Sequence, residues 1–563
     1  MNSDDRRKGR SNDLSVSESF RSWRYLYWLL ALFLLIVLFY AEENWRGRRA
    51  LEGYKYERAA QGKKFDPAAF VPPPVADSEN FARTPFLAPL FEFQPGTQKW
   101  RDTNALQRVQ NIAPFYDSAK SAMKHDPRVS SNSWVHTSVD LVAWYDVVLQ
   151  AAARTNLHQS SEAKASSPAE QTREKSSEPQ IQASAGQAES IEALKRASSE
   201  VLAHLSEYNS VIEQIRADSG KPFSRFDIRY QEANPAAILL PHLSVLKRLT
   251  QVIQLRAFAE LILGRNQEAF DDVKLLLYLS NASHSEPILI SQLVRIAQVQ
   301  FALETIAYGM RQWSGEQLEE LQTRLGQFNF CGDIQRALEA EQVFLGGGVI
   351  DFIRRSSKEY NALASNNSEM PGVLLGVIPK GWFDFEKVNY YRLYDNYLVP
   401  EVIDLKNMRV NPSKVQQARD KIDIRLRKSP GALVVRHLLF ASLLMPSLER
   451  AVRKAAFAQE GVQVASVACA LERYRRANGR FPEALDLLIP QFAAKLAPDI
   501  ITGLPLHYRR EESGQYVLYS IGWNEVDDNG VVATGKKEQG AESAAPDQGD
   551  WVWREMESVL NRQ

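Results

Sequence analysis

The sequence predicts a mainly α protein: an N-terminal transmembrane helix, an irregular all-α domain, and a small C-terminal α+β domain of one long helix and an antiparallel sheet. Three observations carry this. Residues 25–41, YLYWLLALFLLIVLFYA, contain no charge. From 191 to 330 apolar residues recur at helical spacing, and Leu239, Leu243, Leu246, Leu249 and Ile253 mark one buried face. Residues 504–522 alternate instead with a period of two around Ser513–Gly514.

At 563 residues the chain is too long for one core, and roughly three or four packed units are expected. An apolar content of 44% is ordinary for globular chains, so sizeable cores are affordable. Lys+Arg and Asp+Glu balance at 68 each. A nucleic-acid binder carries a basic excess, so no nucleic-acid partner is expected. Cys331 and Cys469 are the only cysteines and read as small buried apolar residues.

As a helix, 25–41 spans about 26 Å, just under the ~30 Å hydrocarbon core. Trp23, Tyr25, Tyr27 and Trp28 crowd one end, with Tyr40 and Trp45 at the other, as in an interfacial aromatic belt. YAEENW offers no small-x-small cleavage site, so the helix reads as an uncleaved anchor. Arg6, Arg7, Lys8, Arg10, Arg21 and Arg24 nearly balance Arg46, Arg48, Arg49, Lys55 and Arg58, so flanking charge barely orients it. A short tail (1–24) before a very long hydrophilic remainder favours tail in, bulk out. The expectation is a single-pass inner-membrane protein with most of the chain outside the cytoplasm.

Residues 42–64 read as a charged juxtamembrane helix. Residues 65–100 are rich in proline, which forbids regular helix, yet carry Phe65, Phe70, Phe81, Phe86, Phe91 and Phe93. An extended strap across the folded body is expected. A helical segment (101–156, with a helix at 138–153) precedes a disordered linker at 157–190, where Leu157 and Ile181 are the only large apolar residues. The α-helical domain covers 191–432. Its 236–281 hairpin turns at Gly264, crosses closely at Ala269, and resembles one tetratricopeptide hairpin without a second copy at that period. Residues 286–310 form a third buried helix, and Ser314/Gln317 make a capping box for a fourth. Residues 356–382 read as a loop. The tyrosine-rich stretch 385–405 is helical, its stripe belonging to core or subunit interface.

The α+β unit spans 433–534. One helical pattern covers 433–478 and stops at Asn478–Gly479, Phe481–Pro482 redirects the chain, and 483–492 is a short helix. Leu506, Tyr508 and Arg510 then pair with Tyr516, Leu518 and Ser520. Residues 535–563 read as a tail.

LERYRRANGRFPEALDLLIP, followed by LPLHYRREESGQYVLYSIGWNEVDDNG, resembles the C-terminal half of the major pseudopilins of type II secretion. The resemblance covers about 440–532 and implies a long helix on a small antiparallel sheet, closed by a calcium-binding loop. It departs at the N-terminus, where Arg24-Tyr25-Leu26-Tyr27 offers no prepilin-peptidase site and about four hundred residues separate membrane helix from sheet. Over nearly its whole length the chain also resembles an uncharacterised family of single-pass bacterial membrane proteins, in ENWRGRRALEGY, VPPPVADSENFA, KPFSRFDIRY, EPILISQLVRIA, IPKGWF and GDWVW. That resemblance implies architecture and an envelope location, and no activity.

Motifs of catalysis are absent or incomplete. Eight histidines stand singly. GVVATGKK (530–537) nearly spells a phosphate loop, but Lys537 stands where Ser or Thr must hold Mg²⁺. Gly346–Gly348 lack a strand–turn–helix context and read as a flexible joint. Ser244 and Lys247 lie one helical turn apart without the Lys-Thr-Gly partner of the penicillin-binding nucleophile. Asp527 and Asp528 cluster hard oxygens before Asn529–Gly530, a candidate Ca²⁺ site or simply a tight turn. No other cofactor and no catalytic residue is expected. The expected function is non-enzymatic: contact with, or scaffolding of, unidentified envelope proteins. The alternative is an envelope hydrolase with its site in the helical domain, which a polar pocket holding a perturbed carboxylate, or Ser244 meeting Lys247 there, would favour.

Overall fold

A computed structural model describes residues 12–112 except 96 and 98, residue 134, residues 185–355, residues 376–532 except 446, and residues 548–553. The predicted helix at 138–153 and residues 157–184 of the predicted linker lie outside these.

The apolar run does not end as a separate helix. Helix α1 (Asn12–Ala59) continues unbroken from it through the charged juxtamembrane stretch, which contains no proline. By length and composition two helices could cross a membrane: Tyr25–Ala59, whose apolar window is wholly exposed, and Pro235–Ile262, much of which is packed inside the protein. Only the first has its apolar side chains free to meet lipid.

After α1 the chain runs through short 3₁₀ turns that lie across the helices, as proline content demands. Phe81, Leu87 and Leu90 are buried. Asn80 pins this strap: its side chain donates to the Arg225 carbonyl and accepts from the Arg225 N–H, both at 2.8 Å. After α2 (Thr103–Gln110) come α3 (Ala185–Leu205) and α4 (Asn209–Asp218). The hairpin of α5 (Pro241–Ile262) and α6 (Asn266–Asn281) turns at Gly264, whose φ of 73° suits glycine, and buries Ala269. Next come α7 (Leu289–Tyr308), α8 (Gly315–Leu325) and α9 (Phe330–Ala340). The Ser314/Gln317 capping box opens α8, with both reciprocal hydrogen bonds made.

The glycine triplet is not a joint. It sits in a helical run, a π turn (Glu341–Gly346) leading into α10 (Gly347–Arg355). A Cβ on Gly346 would lie 2.2 Å from the Tyr390 ring, and one on Gly347 would lie 2.3 Å from the Tyr391 hydroxyl. The glycines let α10 seat on the tyrosine stripe of α11 (Lys380–Asp395). Tyr390, Tyr391, Tyr394 and Tyr397 are all buried, so the stripe is core.

The pattern read as one helix over 433–478 is three. After α12 (Pro412–Leu426) come α13 (Pro430–Val435), α14 (Leu439–Leu444) and α15 (Leu448–Asn478). Met445 is extended, as the residue before a proline tends to be. Gly479 caps α15 in the left-handed conformation at φ 77°. Helix α15 packs on α7, α8 and α9 while also supporting the sheet, so one continuous core serves both. Residues 485–488 form only a 3₁₀ turn. Strands β1 (Ile403–Asp404) and β2 (Arg409–Val410) make a small ribbon. The second sheet orders antiparallel β3 (His507–Arg510), β4 (Tyr516–Ser520) and β5 (Trp551–Trp553). Tyr508 pairs with Leu518 and Arg510 with Tyr516, the expected register. Strand β5 falls inside the stretch read as a tail. Three residues are too few to display alternation, and only burial of Trp551 and Trp553 reveals them.

Candidate functional site

The densest contact outside the helical hairpins is a parallel seam between α1 and α11. It begins where the apolar run ends, with the Tyr40 hydroxyl donating to the Val377 carbonyl. About two turns of α1 further on, Gly47 and Gly381 bring the two backbones together: a Cβ on either would sit 2.1 Å from a carbonyl oxygen of the other helix. Asn44 Oδ1 accepts the Gly381 N–H at 2.8 Å, and Trp382 Nε1 donates to Glu43 at 3.0 Å. At the far end Asp395 accepts from the Tyr54 hydroxyl at 2.8 Å and from Arg58 Nε at 3.1 Å. Burial, reinforced by the Asp395 charge, pushes the Tyr54 phenol far above its usual range, so it stays a donor. Sequence reading missed this seam. Gly47 and Gly381 are 334 residues apart, and single glycines in charged or aromatic surroundings give no pairing signal.

The closing loop holds Asp527 and Asp528 near the mouth of the sheet. Asp527 Oδ1 accepts from Tyr519 at 3.0 Å and from the Asn529 N–H at 2.8 Å. That N–H holds the Asp527 carboxyl below the usual carboxylate range. Asp528 accepts from Asn524 at 3.1 Å. Asn529 and Gly530 both have positive φ, so the tight turn is real. A third acid, Asp550 from the end of the chain, accepts the N–H groups of Asp528 and Gly530 at 3.1 and 2.6 Å. Among the described residues no three His, Cys, Asp or Glu side chains converge as an ion would require. A Ca²⁺ here would draw most of its six to eight oxygens from backbone and water.

In the helical domain a cleft of about 430 Å³ opens between α3, α4 and α5, lined in part by Ser199, Asn209, Arg256 and Glu260. Arg256 Nε lies 2.9 Å from Asp272 and 3.4 Å from Glu260, and Arg216 lies 2.6 Å from Asp272. Burial and the neighbouring Asp272 charge push Glu260 up to about 8. A proton donor in a cleft could serve as a general acid. The hydroxyl of Ser199, however, donates to the Lys195 carbonyl, and Asn209 accepts from Arg256. The arrangement ties α4, α5 and α6 together. Ser244 and Lys247 do not meet here: Ser244 is exposed and donates to the Pro241 carbonyl. His242, Glu286 and Ser291 do cluster, but Ser291 donates to Glu286 rather than to His242, and all three are buried. A nucleophile must face its base, so this is no triad. Cys331 and Cys469 are buried and unpaired by disulfide, and burial pushes the Cys469 thiol up to about 12.

Glu304 gives a testable consequence of these buried acids. It lies between Gln254 at 2.8 Å and Gln300 at 3.4 Å, and burial pushes it up to about 7. The unfolded chain releases this proton near 4.5 while the folded chain keeps it until about 7. Stability therefore falls as pH rises through that window, by up to about 1.4 kcal/mol per pH unit from this group. Glu304→Gln is expected to flatten thermal stability between those pH values. Identical slopes for variant and parent would show that Glu304 ionises normally.

Comparison of the chain with family models, curated proteins and solved structures gives no match.

Proposed function

We propose that this is a single-pass membrane protein of the cell envelope, its folded body outside the cytoplasm, acting by protein–protein contact or scaffolding rather than catalysis. The parallel seam of α1 and α11 carries the reading. Because α1 leaves the apolar run without a break and is gripped at Glu43, Gly47, Tyr54 and Arg58, the body is held at a fixed height and angle above its anchor. Rigid mounting suits a surface presented to neighbours. The pseudopilin-like order of long helix, hairpin and closing loop adds to it, as does the resemblance to single-pass bacterial membrane proteins. Ca²⁺ at Asp527 and Asp528 belongs to the same reading. The hydrolase alternative draws on the Glu260 cleft alone.

A C-terminal alkaline phosphatase fusion is expected to be active, and the matching cytoplasmic reporter silent. The opposite pattern would reverse the topology. Photo-crosslinkers placed over the exposed body in native membranes are expected to yield discrete protein adducts. If none forms from any face, the scaffold reading is wrong.

A further inference from the structure

Helices α13 and α14 are short, and the turn between them is clamped to the first three turns of α11. Asn389 donates to the Arg436 and His437 carbonyls at 3.1 and 2.9 Å. The His437 ring stacks on Phe385 and meets Trp382 edge-on. Glu386 accepts the N–H groups of Leu439 and Phe440, fixing the start of α14. Both helices have an inner and an outer face. Leu433, Phe440 and Ala441 are buried, while Val435 is 74% and Leu443 47% exposed. Just before α11, Val377 is 59% exposed.

Height along α1 says what meets this face. Trp382 touches Glu43, and Phe385 lies under Arg46. At 1.5 Å per residue, Glu43 to Gly47 lie about 3–9 Å beyond Ala41, the end of the apolar run. The interfacial layer between hydrocarbon and water is about 5–8 Å thick on each side. The Val377 backbone is lower still, bonded to Tyr40. Exposed charge around this end is basic: Arg48, Arg49, Lys380 and Arg436 against Glu42 alone in the stretches 42–49, 376–382 and 433–445, Arg46 being paired with the buried Glu43 at 2.6 Å.

We propose that α13, α14 and Val377 form a second membrane contact, lying in the interfacial layer of an anionic bilayer beside α1. Apolar Val435 and Leu443 enter the acyl boundary, and the surrounding arginines and Lys380 reach lipid phosphates. The half-buried Trp382 takes the interfacial place usual for tryptophan. Two contacts, a span and a footing, then define the tilt of the body. The inference rests on 25–41 being a span, and the test separates the two.

Full-length protein carrying one added cysteine is labelled with an NBD fluorophore at Val435→Cys, Leu443→Cys, Leu34→Cys or Val531→Cys. Cys331 and Cys469 are buried and remain unlabelled. Each protein is reconstituted in vesicles of phosphatidylcholine with phosphatidylglycerol, or of phosphatidylcholine alone, with nitroxide-bearing lipids as quenchers. The label at 34 is expected to be quenched from mid-bilayer, those at 435 and 443 from just below the headgroups, and that at 531 not at all. Quenching at 435 and 443 is expected to weaken without phosphatidylglycerol. If 34 is quenched while 435 and 443 behave like 531, the footing is wrong and the anchor stands. If 34 is not quenched, the span itself fails and the footing with it. If 435 and 443 are shielded from both lipid quencher and aqueous iodide, protein such as a second copy covers the face, and the proposal is overturned.

Discussion

Gly381→Leu is expected to pry the folded body off α1. A Cβ at this position would stand 2.1 Å from the Glu43 carbonyl oxygen and 2.7 Å from the Asn44 Cα. Both obstacles are backbone, so no side chain can rotate away to make room. Overpacking a core typically costs 1–3 kcal/mol, and a clash between two helix backbones belongs at the upper end, about 3 kcal/mol. Separating the helices also breaks the Gly381 N–H bond to Asn44 and strains the Trp382 bond to Glu43. Further along, Tyr54 is buried and depends on Asp395, so a splayed seam leaves a desolvated hydroxyl unpaired. The readouts are a lowered melting temperature for the full chain in detergent and faster proteolysis between Ala59 and Phe65. Gly53→Ala is the control. Nothing lies within 4 Å of its Cβ position, and replacing a helical glycine by alanine gains roughly 0.5–1 kcal/mol. Equal melting for Gly381→Leu and wild type would mean that the helices do not touch at this crossing.

What was legible in the sequence was local chemistry. The Ser314/Gln317 capping box, the glycine stops at Gly264 and Gly479, and the register of Tyr508 with Leu518 each depend on residues a few positions apart, and each holds. The exposed apolar window of α1 follows from composition alone. Readings failed where the deciding partner lay far along the chain. Gly346 and Gly347 look like a hinge until Tyr390 and Tyr391 are set against them. The apolar run from Leu433 is the exception, because the proline that divides it from α15, at 446, stands in the run itself. The break follows from Pro446 and from the docking of His437 on Phe385. The closing loop divides the same way. Its turn was visible in Asn529–Gly530, while Tyr519 and Asp550, which occupy its polar atoms, were not.

Trp551→Ala is expected to be the most damaging single change, although it falls in a stretch with the composition of a tail. Trp551 and Trp553 are fully buried, and their strand completes the sheet by pairing Ser520 with Trp551 and Leu518 with Trp553. The Trp551 ring meets Phe457 of α15 edge-on at 5.2 Å and lies parallel to Trp523 at 6.4 Å, so it joins sheet, long helix and closing loop. Truncating a buried tryptophan to alanine typically costs 3–5 kcal/mol, the lost transfer energy plus the cavity left behind. Loosening β5 also removes Asp550 from the N–H groups of Asp528 and Gly530, so the loop loses its clamp. Trp551→Phe separates packing from polarity. The buried indole N–H of Trp551 meets no acceptor among the described residues, so phenylalanine gives up volume without breaking a bond seen there, and a loss of about 1 kcal/mol is expected. Thermal unfolding of the full chain reads both. A large drop for alanine with a small one for phenylalanine places the tryptophan in the core as a space-filler. Wild-type melting for Trp551→Ala would mean that residues 548–553 take no part in the fold, and the sheet would then end at two strands.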